Sequence, residues 1–181
     1  MLHIAPELAT SYAIELPELL SSRECRQARQ QAWLARHQST LLVLTLVVPG
    51  AVKDSPMTRQ VFNLGWQALQ HRFQQLAWHS LQQQTWALST GCEGYLALQA
   101  DAYAVKKATI ELEQQQPVGR LWDIDVLTPQ GQILSRSDLG LPERQCLLCD
   151  QPAKICARQR LHSTEQLLNE MQRRLNVALA I

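Results

Sequence analysis

The segment Leu41-Leu42-Val43-Leu44-Thr45-Leu46-Val47-Val48, halted by Pro49-Gly50, constrains the fold more than any other. Its leucines and β-branched residues run on without polar alternation, the pattern of a central strand in a sheet. Eight residues fall far short of the roughly 20 that a membrane-crossing helix needs, and no apolar run in the chain reaches that length. The run also follows a polar, helix-like stretch, unlike a signal peptide. A soluble, cytoplasmic protein that does not engage a membrane is expected.

Cap and turn signals arrange the other elements around this strand. Ser21 and Glu24 make a capping-box pattern, and Cys25, Ala28, Ala32 and Ala35 follow at helical spacing, which predicts a helix over 22–37. Ser55-Pro56 supplies a cap and then proline at the first helical position. Val61, Leu64, Ala68, Leu69, Phe73 and Leu76 carry that second helix to about residue 82. Strands are expected over 85–90 and 95–99, with Gly91-Cys92-Glu93-Gly94 as the hairpin turn. Asp101 caps a helix bearing Ala102, Val105, Ala108 and Leu112, which ends before Pro117 and Gly119. A second hairpin joins strands over 121–128 and 132–136 through Pro129-Gln130-Gly131. Ser163 and Gln166 form another capping box, for a helix with Leu167, Leu168, Met171, Leu175 and Ala178.

Set apart from the first helix and the tail, this order is β-α-β-β-α-β. It predicts an α+β, ferredoxin-like fold: an antiparallel sheet with two helices on one face, plus an N-terminal helix and a C-terminal Cys-rich loop and helix. At 181 residues the chain reads as a single domain, with the core over about 41–136 and the extension over about 142–181. A net charge of +1, with both signs dispersed, argues against nucleic acid as a partner.

The chemistry concentrates in Gly119-Arg120-Leu121-Trp122-Asp123-Ile124-Asp125-Val126. On a strand, residues i and i+2 share a face, so Asp123 and Asp125 project together, roughly 6–7 Å apart at Cα. Trp122, Ile124 and Val126 face the other way, into a core. Two carboxylates this close repel unless a cation lies between them. Magnesium fits, because it binds one or two carboxylates together with substrate phosphates. A bare Asp-x-Asp is equally compatible with a solvated strand face.

The tail holds two further sets of residues. Arg144, Lys154, Arg158 and Arg160 face a single acid, Asp150, between residues 144 and 162. Such a segment suits a polyphosphate or an acidic partner, or else a solvated basic loop. Lys53 is a further phosphate candidate, with an exposed loop lysine as the alternative. Three of the five cysteines fall within eleven residues, unlike a secreted disulfide framework. Cys146-x2-Cys149, Cys156 and His162 have the ligand types and knuckle spacing of a structural zinc site. The alternative is three buried thiols and a phosphate-facing His162. No role is assigned to Cys25 or Cys92, and Trp33, Trp66, Trp78 and Trp86 read as core.

Taken in order, several segments resemble one family over nearly the whole chain. They are Arg26-Gln27-Ala28-Arg29-Gln30, Pro49-Gly50 with Lys53-Asp54-Ser55, the 119–126 motif, Arg144 with Cys146-Leu147 and Cys149, and Cys156-Ala157-Arg158 with His162. The family is the citrate lyase holo-acyl-carrier-protein synthases, or apo-citrate lyase phosphoribosyl-dephospho-CoA transferases. The resemblance implies a nucleotidyltransferase-type reaction. Triphosphoribosyl-dephospho-CoA would donate its phosphoribosyl-dephospho-CoA to a serine of the citrate lyase acyl carrier subunit, releasing diphosphate. Asp123 and Asp125 would be the catalytic, magnesium-binding pair, with Lys53, Arg120, Arg144, Arg158, Arg160 and His162 holding substrate. Two alternatives stand beside this: a non-catalytic zinc-knuckle module that binds a carrier protein, and the same transfer onto the carrier subunit of another complex.

Overall fold

The computed structural model describes residues 3–180. An antiparallel sheet contains β1 (Thr40–Leu46), β2 (Ser80–Leu88), β3 (Gly91–Leu98), β4 (Trp122–Leu127) and β5 (Ile133–Leu134), in the spatial order β2-β3-β1-β4-β5. Helix α1 (Leu16–His37) precedes the sheet, α2 (Pro56–Gln75) and α3 (Ala102–Gln115) make its crossovers, and α4 (Ala153–Gln159) and α5 (Thr164–Leu179) follow it. With β1 between β3 and β4, this is the expected ferredoxin-like core, and β5 extends the sheet beside β4.

Alternation along the strands builds a core on each face. Leu42, Leu44, Leu96, Ile124 and Val126 pack with Phe62, Trp66 and Leu69 of α2, Val105 and Leu112 of α3, and Met171 and Leu175 of α5. The C-terminal helix therefore shares the main core. On the opposite face Leu41, Val43, Tyr95, Ala97 and Leu127 pack with Trp33 of α1, with Leu34 and Trp86 against them. An unbroken apolar strand needs cover on both sides, and α1 supplies the second layer. That layer is thin: Gln30 and Trp33 are the buried residues of α1.

Several boundaries differ from expectation for identifiable reasons. Helix α1 begins at Leu16, with a proline in its first turn, so Ser21 and Glu24 lie within it rather than capping it. Ser22 Oγ instead pairs with Thr90 Oγ1 at 2.7 Å. Helix α2 keeps its Ser55 cap but stops at Gln75, where Ala77 takes up φ 53° and turns the chain into β2. That strand starts at Ser80 because it is a sheet edge, and its Gln82-Gln83-Gln84 stretch carries no apolar signal. The hairpin turns at Ser89-Thr90, which places Cys92 and Glu93 inside β3 and buries both. Strand β5 is only two residues long, and the short α4 carries no strong cap.

Among the described residues, no helix is long and apolar enough to cross a membrane.

Candidate functional site

Asp123 sits opposite Thr45, and Asp125 opposite Val43, on the sheet face covered by α1. Trp122, Ile124 and Val126 are buried on the other face, as strand alternation requires. Two features fix where β4 begins. A Cβ on Gly119 would collide with the backbone of Glu113 at the end of α3, so only glycine lets the chain pass there. Trp122 Nε1 then donates to Val61 O at 3.0 Å, tying the strand to α2.

How each carboxylate is partnered separates this pair from the structural acids. Asp54 receives Arg59 Nε at 2.6 Å and Nη2 at 2.8 Å, together with the Thr10 N–H at 2.8 Å. Those bonds hold its carboxyl below the usual range against the opposing effect of burial. Glu93, 0% exposed, is gripped by Arg26 at 2.9 Å, Arg29 at 2.7 Å and the Tyr95 hydroxyl at 2.8 Å. Glu113 is held between Arg136 and Arg144. Asp123, by contrast, has only Arg144 Nη1 near it, at 3.7 Å, and its side chain is 49% exposed. Asp125 is half-buried, with no hydrogen bond lowering its pKa. Burial pushes its pKa up and Asp123 pushes it further, against the pull of Lys106, Arg26 and Arg144.

Cations ring the pair without neutralising it fully. Lys106 Nζ donates to Ile124 O at 2.8 Å, at the stretch of β4 that β5 does not pair. Burial lowers its pKa, while Glu113, Asp125 and Asp123 oppose that shift. Arg144 spans from Glu113 to Asp123 and also borders two cavities of about 620 and 610 Å³. Arg120 lines both; Arg136 and Arg174 line the first, Arg160 and His162 the second. Burial, Arg144 and Arg136 together lower the Arg120 pKa. Arg136 and Arg144 pair with Glu113 and Arg174 with Glu170, so among the described residues Arg120 is the guanidinium of the first cavity with no carboxylate partner.

Of the residues singled out in the sequence, Arg120, Arg144, Arg160 and His162 share one cavity, and Arg144 links it to Asp123; Asp125, two residues along β4, borders the groove under α1. Lys53 does not join them: its ammonium donates to Val48 O at 2.5 Å and fastens the loop after β1. Arg158 is exposed and lines neither arginine cavity. Four groups near the pair were missed: Glu93 lay in a mistaken turn, and Lys106, Glu113 and Arg26 sit on helices read for their apolar positions. The 26–30 segment was the available signal, since its two arginines are the ones that clamp Glu93.

Cys146, Cys149, Cys156 and His162 bring their ligand atoms within 4.8 Å of one another. Cys149 Sγ lies 3.5 Å from Cys156 Sγ and 3.3 Å from His162 Nε2. Burial raises the Cys146 thiol pKa, but N–H groups of Leu148 and Cys149 and the neighbouring thiols bring it down to about 7. Backbone donors aimed at the first sulfur of a Cys-x2-Cys turn favour a thiolate, the form that binds metal. This cluster can hold a metal such as zinc, and its three sulfurs and one imidazole suit that ion. Bonds from Cys146 N to Gln151 O at 2.7 Å and from Ala153 N to Arg144 O at 2.8 Å connect the knuckle directly to Arg144.

The sheet thus carries a carboxylate pair that Arg144, 3.7 Å from Asp123, connects to two arginine-lined cavities. A family profile described as apo-citrate lyase phosphoribosyl-dephospho-CoA transferase matches residues 14–178. A protein of that name from Escherichia coli O7:K1 (strain IAI39 / ExPEC) is 51% identical over 175 residues, spanning 97% of this chain and 96% of its own length. Relatives of the same name from Shigella boydii serotype 18 and Escherichia coli O157:H7 are 50% identical over the same spans. The chain belongs to the apo-citrate lyase phosphoribosyl-dephospho-CoA transferase family.

Proposed function

We propose that this transferase attaches phosphoribosyl-dephospho-CoA to a serine of the apo-citrate lyase acyl carrier subunit, with Asp123 and Asp125 holding a magnesium ion beside the donor's triphosphate. The observation that carries the metal assignment is the contrast in partners. The buried carboxylates Asp54, Glu93 and Glu113 are each clamped by arginine, whereas Asp123 and Asp125 share a face with no such clamp. A bound magnesium ion supplies charge neutralisation to the triphosphate oxygens.

The chain's own groups do the remaining work. The carrier's serine oxygen forms a bond to the α-phosphorus while the bond from that phosphorus to the leaving diphosphate breaks. One of the two carboxylates also takes the serine proton. Arg144 and Arg120 stabilise negative charge on the departing diphosphate, and Arg160 and His162 extend the same basin. Cys146, Cys149, Cys156 and His162 would hold a zinc ion that closes the loop beginning at Arg144, and so would position that arginine.

Apo carrier protein, triphosphoribosyl-dephospho-CoA and magnesium are incubated with the enzyme, and the carrier's mass is followed. Asp123→Asn and Asp125→Asn should each abolish the mass increase. Near-normal modification by either would overturn the metal assignment, and none by the wild type would overturn the reaction.

A further inference from the structure

Glu93 and the carboxylate pair lie on one face of three neighbouring strands. Asp123 pairs across the sheet with Thr45 and Asp125 with Val43, and Val43 pairs in turn with Tyr95, two residues beyond Glu93 on β3. Residues i and i+2 of a strand share a face, so Tyr95, Val43 and Asp125 make one row beneath α1. Glu93, Thr45 and Asp123 continue as the next row. With strands roughly 4.8 Å apart, Glu93 and Asp123 stand about 10 Å apart at Cα.

Arg26 of α1 bonds to this second row. Its Nε donates to Glu93 Oε1 at 2.9 Å, and its side chain is 25% exposed. Among the described residues, its Nη1 and Nη2 have no hydrogen-bond partner. Other arginines on buried carboxylates are used more fully. Arg59 gives Asp54 both Nε and Nη2, a two-point clamp. Arg29 gives Glu93 its Nη2 at 2.7 Å and the Tyr95 hydroxyl its Nε at 3.4 Å, and it lies 5.6 Å from the Trp86 ring centroid. The Tyr95 hydroxyl also donates to Glu93 Oε2, so that carboxylate is already occupied on both oxygens. Arg26 is thus anchored at one nitrogen, with its forked end left over. Its charge reaches the pair, for Arg26 pulls the Asp125 pKa down more than Arg144 does.

We propose that Arg26 is a further catalytic residue, its Nη groups donating to a non-bridging oxygen of the phosphoryl group being transferred; this rests on the reaction given above. Guanidinium nitrogens pair with phosphate oxygens two at a time, which requires the free fork that Arg26 keeps. Arg144 approaches Asp123 from the side of the arginine-lined cavities, where the diphosphate departs. Arg26 comes from the β3 side, tethered to Glu93. A phosphoryl group on the Asp123–Asp125 face is then held from both flanks as charge moves onto the leaving group. Glu93 is a positioning residue: its buried carboxylate fixes Nε and with it the fork. Arg26 moves no proton, because a guanidinium stays protonated throughout.

Arg26→Gln, Arg26→Lys and Arg29→Gln are compared in steady-state transfer to the apo carrier, with folding followed by circular dichroism and thermal unfolding. Arg26→Gln should lose about 10²-fold in kcat, as for removal of one charge-stabilising donor, with donor KM changed less than about threefold. Arg26→Lys keeps a cation for Glu93 and should melt near the wild type. It should still lose about tenfold or more in kcat, because one ammonium cannot serve Glu93 and the phosphoryl oxygen together. Arg29→Gln removes the other guanidinium from Glu93, so it should lower the melting temperature and keep kcat within about threefold of wild type. Equal kcat losses in Arg26→Gln and Arg29→Gln would reduce Arg26 to a structural clamp and overturn the proposal. A wild-type kcat in either Arg26 variant would overturn it too. Transfer by the wild type in the same assay separates that failure from a failure of the reaction itself.

Discussion

Replacing Asp125 with asparagine should stabilise the metal-free protein while removing its activity. Strand geometry sets the two carboxylates roughly 6–7 Å apart, where like charges repel by about 2.5 kcal/mol at an effective dielectric of about 20. Asp123 is half exposed, so solvent screens part of this, and Lys106, Arg26 and Arg144 offset more. A net strain of about 1 kcal/mol is left, equivalent to roughly 2–4 °C in Tm for a domain of this size. The pH dependence follows from the raised pKa of Asp125. Between the unfolded value of about 3.9 and the higher folded value, the native state holds more protons. Stability from this group is therefore full below the unfolded value and is lost as pH rises through the folded one. Thermal unfolding of wild type and Asp125→Asn, in chelator and then in magnesium, isolates the effect. The variant should melt higher at pH 7 in chelator, the gap should close toward pH 4, and magnesium should stabilise only the wild type. A variant that melts lower at pH 7, or that gains as much from magnesium, would refute the reasoning.

Arg144→Ala should lower kcat by about 10²-fold, as for removal of one charge-stabilising donor, with a smaller effect on carrier binding measured by calorimetry. Protein purified without a histidine tag should carry about one equivalent of zinc by metal analysis. Cys149→Ser should lose that zinc and part of the activity together, because the knuckle fixes Arg144; full activity without zinc would remove the positioning role. Glu93→Gln should cost about 2–4 kcal/mol by denaturant unfolding, since Arg26 and Arg29 lose the charge they converge on. A loss below about 0.5 kcal/mol would show that clamp to be dispensable.

What the sequence revealed follows from how locally each feature is encoded. The β1 run, the Ser55 and Ser163 caps and the Asp-x-Asp alternation are fixed by neighbours within a few residues, and each appears where expected. Features set by tertiary context were not visible. Strand β2 is polar because it is an edge, so the apolar signal over 85–90 omits its first five residues. Glu93 reads as a turn residue until Arg26 and Arg29, more than 60 positions away, bury it. Lys53 and Arg158 are expected as phosphate ligands from their charge and from the family resemblance; the fold sets Lys53 on the Val48 carbonyl and leaves Arg158 exposed. Arg120 and Arg144 reach one basin because Gly119 allows the chain to pass under α3 and because the cysteine knuckle folds its loop back.

The most direct test of the Asp123–Asp125 pair is a mass measurement on the carrier protein across a magnesium titration. With wild-type enzyme the apo citrate lyase carrier should gain the mass of phosphoribosyl-dephospho-CoA, and only when magnesium is present. With Asp123→Asn or Asp125→Asn, folded by circular dichroism, it should gain nothing at any magnesium concentration. Complete modification by either variant, or by the wild type in chelator, would contradict the assignment.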